Sequence, residues 1–273
     1  MWSQQHAALY WVDILAKCLH RYTPAADQRE SWTFGEQISA VAERAVAPGL
    51  LVTLRSGFAF FDPATGQLER LLNPEPERPG NRFNDGKCDA AGRFWGGTTD
   101  FACTQATGAL YCLDAQRRCA RHFDGIHIAN GPTWSLDGRT LYLSEAGLRR
   151  VYAFDFDMDS GSLSNRRVWL QFTDSDGAPD GMTTDADGRV WIAHWGGSCV
   201  TCRDASGRLL ARIDFPVANV ASCAFGGPEL ATLYVTSGHE GLAPADHAAQ
   251  PLAGAVFAVE TDARGLPAAR FAG

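Results

Sequence analysis

The sequence has 273 residues, of which 45% are hydrophobic, so the chain is long enough to bury the core of one large domain or two small ones. A net charge of −7, a pI near 5.5 and the lack of a basic run argue against nucleic acid or an anionic membrane as a partner. No apolar stretch is long enough to cross a bilayer and no secretory signal is visible, so we expect a cytoplasmic protein whose cysteines remain thiols.

Six short runs of apolar and aromatic residues recur along the chain at a spacing of roughly 40–50 residues. They lie at 8–12, 50–53, 93–97, 140–144, 189–193 and 232–236. Each is followed by a second run with the alternation that favours strands. The second runs lie at 19–22, 58–61, 109–113, 151–154, 200–203 and 255–259. Because this repeat length is typical of propeller blades, the sequence predicts an all-β, six-bladed β-propeller that forms a single domain over residues 1–273.

Three polar residues occupy matching places in this repeat. Asn84, Asn130 and Asp180 each stand at nearly the same offset before the aromatic residue of the third, fourth and fifth run. Equivalent loops of a propeller point at its axis, so we expect these side chains to meet there. One carboxylate and two amides suit a hard divalent cation that retains water. The sequence therefore predicts a metal site on the central axis; the alternative for Asp180 alone is an Asx-turn.

The loop that contains Asn84 also carries three charged residues. In an extended loop Arg82 points the same way as Asn84, where its guanidinium can bind substrate hydroxyls or a developing negative charge. The alternative for Arg82 is a surface ion pair with a neighbouring acid. Asp85 and Lys87 are interpreted as loop scaffold.

Other polar residues are weaker candidates. Asn219 precedes the sixth run, but its offset departs from that of the other three residues. His127 and His194 are possible bases or metal ligands. Because His194 falls within a strand pattern, a packed and hydrogen-bonded histidine is the favoured interpretation.

Five collinear motifs resemble those of the SMP-30/gluconolactonase/regucalcin family. They cover residues 9–14, 82–87, 129–135, 179–182 and 224–228. The resemblance implies a six-bladed propeller with a divalent metal on its axis, held by Asn130 and Asp180. It also implies that Arg82 and Asn84 line the substrate pocket, with Asn84 reaching the metal through water. Some family members place an acidic residue in the loop after the third run, where Asp100 is the nearest substrate-binding candidate.

The activity that the resemblance implies is metal-dependent hydrolysis of sugar-acid lactones, such as gluconolactone, arabinonolactone, xylonolactone or galactonolactone, to the open-chain acid. In this interpretation Asp180 is both a metal ligand and the catalytic proton acceptor. Calcium, zinc, manganese and iron(II) each remain open as the metal. The alternatives are a non-catalytic calcium- or ligand-binding propeller, an inactive truncated paralogue, and a propeller that binds other proteins.

One departure from the family pattern concerns the first residues. The family has a metal-binding glutamate in a Glu-Gly-Pro-aliphatic-Trp motif, and here Trp2 and Met1 match only its last two positions. The glutamate and part of the preceding strand are expected upstream of Met1. Either the true start lies about one strand earlier, which we favour because the rest of the sequence shows no decay, or the chain is a truncated paralogue.

Overall fold

The computed structural model describes residues 1–273, and nearly all of its regular structure is antiparallel β-sheet. The strands form four four-stranded sheets and one seven-stranded sheet. The prediction of an all-β protein is confirmed. None of the helices has the length and hydropathy needed to span a membrane.

The sheets follow one another in chain order. The first contains β1 (Trp2–Ser3), β2 (Ala8–Asp13), β3 (Cys18–Thr23) and β4 (Gln28–Thr33). The second contains β5 (Ile38–Glu43), β6 (Leu50–Leu54), β7 (Gly57–Phe61) and β8 (Leu68–Leu72). The third contains β9 (Asn81–Cys88), β10 (Phe94–Asp100), β11 (Gly108–Leu113) and β12 (Cys119–Ile126). The fourth contains β13 (Ala129–Trp134), β14 (Thr140–Glu145), β15 (Arg150–Phe156) and β16 (Leu163–Gln171).

The seven-stranded sheet consists of two parts. One part contains β17 (Ala178–Thr184), β18 (Val190–Trp195), β19 (Cys199–Arg203) and β20 (Leu209–Asp214). The other contains β21 (Asn219–Gly226), β22 (Thr232–Gly238) and β23 (Val256–Glu260), with the helix α1 (Pro244–Ala249) between its last two strands. A single residue pair, Trp195 with Asn219, joins the two parts. All twelve predicted apolar runs fall on strands, because period-two alternation suits a pleated, buried surface.

Apolar side chains fill the spaces between consecutive sheets in six clusters. Between the second and third sheets, for example, the rings of Phe58 and Phe83 lie 4.7 Å apart. Between the beginning of the chain and β22, the rings of Trp2 and Tyr234 stack at 5.7 Å. The aromatic residues of the repeat are therefore buried packing residues.

The first strands of the sheets also contact one another. The contacts run from β5 to β9, from β9 to β13, from β13 to β17 and from β17 to β21. They then return to the beginning of the chain, since β21 contacts β1 and β2 contacts β5. Side chains on these strands are consequently brought together from distant parts of the sequence.

Two buried aspartates fix the turns that lead into β10 and β18. In an Asp-x-x-Gly-Arg-x-Trp motif, Asp185 accepts hydrogen bonds from Trp191 Nε1 at 2.8 Å and from Arg189 Nε at 2.7 Å. Asp89 makes the same contacts in the third sheet. Since each carboxylate satisfies a buried indole and a guanidinium at once, these turns are strongly specified by sequence.

The last residues of the chain cross from one sheet to another. Gly265 pairs with Asp185, and Phe271 pairs with Arg44 and is fully buried among residues of the second and third sheets. Between these two anchors, residues 266–269 line part of a central cavity.

The aspartate turns yield a stability prediction. Asp185→Ala leaves the indole N–H of Trp191 and the guanidinium of Arg189 without their carboxylate, so we expect the free energy of unfolding to fall by about 3 kcal/mol. Urea denaturation checks this as a lower midpoint with an unchanged m value. Asp204→Ala is the matched control, because Asp204 bonds Arg208 and Ser206 in a similar but exposed turn with no tryptophan. Equal losses in the two variants contradict the assigned role of Asp185.

Candidate functional site

The contacting first strands surround a cavity of about 1110 Å³. Its wall includes Arg82, Asn84, Asn130 and Asp180, which come from three different strands. The structure thus brings four of the five site residues predicted from sequence to one place. The volume is sufficient for a small polar ligand with its water.

Asp180 lies at the beginning of β17, where the regular pairing with β18 is interrupted between Pro179 and Met182. The hydroxyl of Ser144 donates to the backbone carbonyl of Asp180 at 2.9 Å. Next to it, a Cβ at Gly181 would lie 2.1 Å from the hydroxyl oxygen of Ser222, so only glycine fits there. Close packing on both sides therefore holds the backbone of Asp180.

The carboxyl group of Asp180 is in an unfavourable place for a charge. Burial raises its pKa well above the ordinary value, and the negative charge of Asp85 raises it further. The backbone N–H of Gly181 and the guanidinium of Arg82 oppose this only in part. A desolvated carboxylate in a cavity is the kind of group that a bound cation stabilises.

Asn84 and Asn130 form a continuous hydrogen-bonded row with Arg82. Arg82 Nη1 donates to Asn84 Oδ1 at 2.6 Å, and Asn84 Nδ2 donates to Asn130 Oδ1 and, at 2.9 Å, to the carbonyl oxygen of Ala129. Gly131, which follows Asn130, has a φ of +81°. The strand pairing is interrupted after Asn130, at this left-handed residue, and Asn130 forms part of the cavity wall.

Arg82 has an unsatisfied hydrogen-bonding group. Its side chain is buried, and burial lowers the pKa of the guanidinium. Nη1 bonds within the loop and Nη2 lies 3.9 Å from Cys103 Sγ, while Nε has no partner. A buried donor without an acceptor costs free energy. Arg82 lines the cavity and places a positive charge beside it. The surface ion pair considered for Arg82 is not formed, because its buried guanidinium contacts Phe83, Asn84 and Cys103 instead.

Asp85 and Lys87 tie β9 to the neighbouring strands. Asp85 Oδ2 accepts a hydrogen bond from the N–H of Gly131 at 2.8 Å, and Lys87 Nζ donates to the carbonyl oxygen of Met182 at 2.6 Å. Burial raises the pKa of Asp85 and lowers that of Lys87, and each charge opposes the shift of the other. These contacts agree with the interpretation of both residues as scaffold.

The structure does not bring Asp100 to the cavity wall. Asp100 Oδ2 accepts hydrogen bonds from the N–H and the hydroxyl of Thr104, at 3.1 and 3.0 Å. These bonds lower the pKa of Asp100 and direct its carboxylate into its own loop. That loop nevertheless reaches the cavity through Phe101 and Cys103.

The weaker candidates do not line the cavity. His194 is buried, its Nε2 lies 2.8 Å from the hydroxyl of Thr201, and burial lowers its pKa to about 4, as expected for a packed histidine. His127 faces Glu145, with 3.8 Å between Nδ1 and Oε1. Asn219 donates from Nδ2 to the carbonyl oxygen of Glu240 at 2.9 Å.

Glu240 is a cavity residue that our sequence analysis did not identify. It lies in the connection 239–255 between β22 and β23, and it lines the cavity with Trp195 and Phe101. The sequence does contain a sign of this long connection, because the gap between the last two apolar runs is wider than the corresponding gaps elsewhere. Which residue of that gap faces the cavity depends on contacts that the repeat does not encode.

Comparison with known proteins places the chain in one family. The family model described as "SMP-30/Gluconolactonase/LRE-like region" matches residues 1–239. The chain is 33% identical over 274 residues to "Putative sugar lactone lactonase YvrE" of Bacillus subtilis (strain 168), covering all of this chain and 94% of that protein. It is 35% identical over 277 residues to regucalcin of Danio rerio, covering all of this chain and 93% of that protein.

A solved structure agrees with these matches. The structure of a calcium-binding protein, regucalcin, from Agrobacterium tumefaciens str. C58 superposes with a TM-score of 0.95 at 28% identity. The superposition covers 99% of this chain and 93% of the other. The family resemblance seen in the sequence motifs is therefore confirmed, and the chain belongs to the SMP-30/gluconolactonase/LRE-like family.

Proposed function

We propose that residues 1–273 form a single six-bladed β-propeller that hydrolyses sugar-acid lactones with the help of one divalent cation on its axis. The cyclic order of contacts between first strands supports six blades. Asp180 is the proposed catalytic residue, Arg82 and Asn84 bind substrate, and Asn130, Asp180 and Asn84 are the proposed metal ligands. The observation that carries the proposal is that these four residues share one cavity in a chain of this family.

The donor set of the cavity fits a hard cation. The carboxylate of Asp180 is desolvated and Asn84 and Asn130 supply amide oxygens, which are oxygen ligands of the kind that calcium, manganese or magnesium prefers. No group of three or more His, Cys, Asp and Glu side chains is placed to hold a metal ion, so the nitrogen- and sulfur-rich set typical of structural zinc is absent. With few protein ligands, water and substrate complete the coordination.

The residues of the chain have distinct roles in the proposed hydrolysis. A bound divalent cation supplies polarisation of the lactone carbonyl and acidifies water. The carboxylate of Asp180 accepts a proton from the attacking water. The guanidinium of Arg82 donates to the oxygen that gains negative charge or to a sugar hydroxyl, and Asn84 helps to orient the ring.

A second candidate function is cation binding without catalysis. The Agrobacterium tumefaciens relative is described as a calcium-binding protein, and the relative from Bacillus subtilis as a lactonase, so the family names support both functions. Both functions need the same ligands. Hydrolysis of a sugar lactone, followed with a pH indicator in the presence and absence of a chelator, separates them.

Substitution of Asp180 tests the proposed site. Asp180→Ala removes the single carboxylate from the ligand set, so we expect calorimetric binding of Ca²⁺ or Mn²⁺ to disappear and lactone hydrolysis to fall at least roughly 10³-fold. Asp187→Ala is the control, because Asp187 lies on an exposed turn and only pairs with Arg189. Native turnover by Asp180→Ala would rule out the assignment.

The stability of metal-free protein gives an independent prediction. The pKa of Asp180 is raised on folding, so its charge destabilises the fold as pH rises from about 3.8 through its folded pKa, and this cost persists at higher pH. We therefore expect Asp180→Asn to raise the Tm at pH 7.5 in the presence of EDTA while abolishing activity.

Asp100→Asn serves as the control of opposite sign. Hydrogen bonds from Thr104 lower the pKa of Asp100, so its carboxylate stabilises the fold above about pH 3.8, and that contribution is lost as pH falls through the lower folded pKa. Asp100→Asn should not raise the Tm. A lower Tm for metal-free Asp180→Asn would show that the Asp180 carboxylate is not destabilising.

A further inference from the structure

The connection between β22 and β23 is much longer than its counterparts. It comprises residues 239–255 and includes α1, whereas residues 55–56 make the equivalent connection in the second sheet and residues 196–198 make it between β18 and β19. Long connections beside a cavity often carry binding residues. Glu240 belongs to this connection and lines the cavity.

Glu240 is held at the cavity by two anchors on the same neighbouring segment. The buried side chain of Asn219 donates from Nδ2 to the carbonyl oxygen of Glu240 at 2.9 Å. Near the other end of the connection, Gln250 Oε1 accepts a hydrogen bond from the N–H of Ala218 at 2.6 Å. Both ends of the connection are therefore attached next to the beginning of β21. These bonds fix the position of the Glu240 backbone.

The carboxylate of Glu240 is free to accept hydrogen bonds. It makes no ion pair and no side-chain hydrogen bond, yet it lines the same cavity as Arg82 and Phe101. Its charge acts favourably on the guanidinium of Arg82 without contacting it. The exposed side chain of Glu240 and the buried side chain of Arg82 thus line one cavity, and a carboxylate binds hydroxyl groups strongly.

We infer that Glu240 is a specificity-determining residue, which accepts hydrogen bonds from the hydroxyl groups of a sugar lactone while Arg82 donates to its oxygens. Asn219 is a positioning residue that places Glu240 at the opening. The inference rests on the proposed lactonase function and deepens it. It follows that the site selects polyhydroxylated lactones over unsubstituted ones, because a bare ring leaves both charged groups without a partner.

Two substrates separate recognition from catalysis. For Glu240→Ala we expect the KM for glucono-δ-lactone to rise roughly tenfold, the effect of losing a hydrogen bond to a charged group, with kcat within about twofold. Hydrolysis of δ-valerolactone, which lacks hydroxyls, should be unchanged. The matched control is Asp246→Ala, since Asp246 lies in α1 of the same connection and does not line the cavity.

Asn219→Ala tests the positioning role with the same pair of substrates. A loss confined to the KM for glucono-δ-lactone supports it, whereas equal losses on both lactones indicate general loosening of the site and count against it. Equal kcat/KM ratios for the two lactones in wild type and Glu240→Ala overturn the inference and leave the proposed function intact. Wild-type protein that hydrolyses neither lactone overturns the proposed function, and the inference with it.

Discussion

The carboxylate of Asp180 is the constraint on which the functional arrangement depends. Burial and the charge of Asp85 raise its pKa, and no side chain hydrogen-bonds to it. A fold that only needed stability would place a smaller or apolar group here, because an unpaired buried charge is costly. In the proposed metal site a cation would offset this cost, because the same desolvation that penalises the free carboxylate strengthens its attraction to the ion.

The rest of the structure supplies the rigidity that such a site requires. Asp85 and Lys87 connect β9 to β13 and β17, so the strands that carry Asn84, Asn130 and Asp180 are held together at the wall of the cavity. Around them, apolar clusters between consecutive sheets provide most of the burial, and the buried aspartate turns fix how β10 and β18 begin. A site carried on packed strands is more precise than one carried on free loops.

Much of the fold could be predicted from the sequence because it repeats. Alternating apolar runs identified the strands. The common offset of Asn84, Asn130 and Asp180 predicted that their side chains meet, and all three line one cavity. The orientation of Asp100 and the position of Glu240 could not be predicted in this way. Asp100 turns toward Thr104, a local hydrogen bond that competes with any role in the cavity. Glu240 reaches the opening because Asn219 holds its backbone, and such a long-range contact has no sequence pattern.

The chain belongs to the SMP-30/gluconolactonase/LRE-like family, and the hydrolysis that we propose depends on one cation at one place. Crystals grown with Mn²⁺ and measured for anomalous scattering test this most directly. We expect a single strong peak in the central cavity, roughly 2.0–2.6 Å from an oxygen of Asp180 and from Oδ1 of Asn130. A peak elsewhere on the protein, or a cavity without one at saturating Mn²⁺, would rule out the proposed metal site.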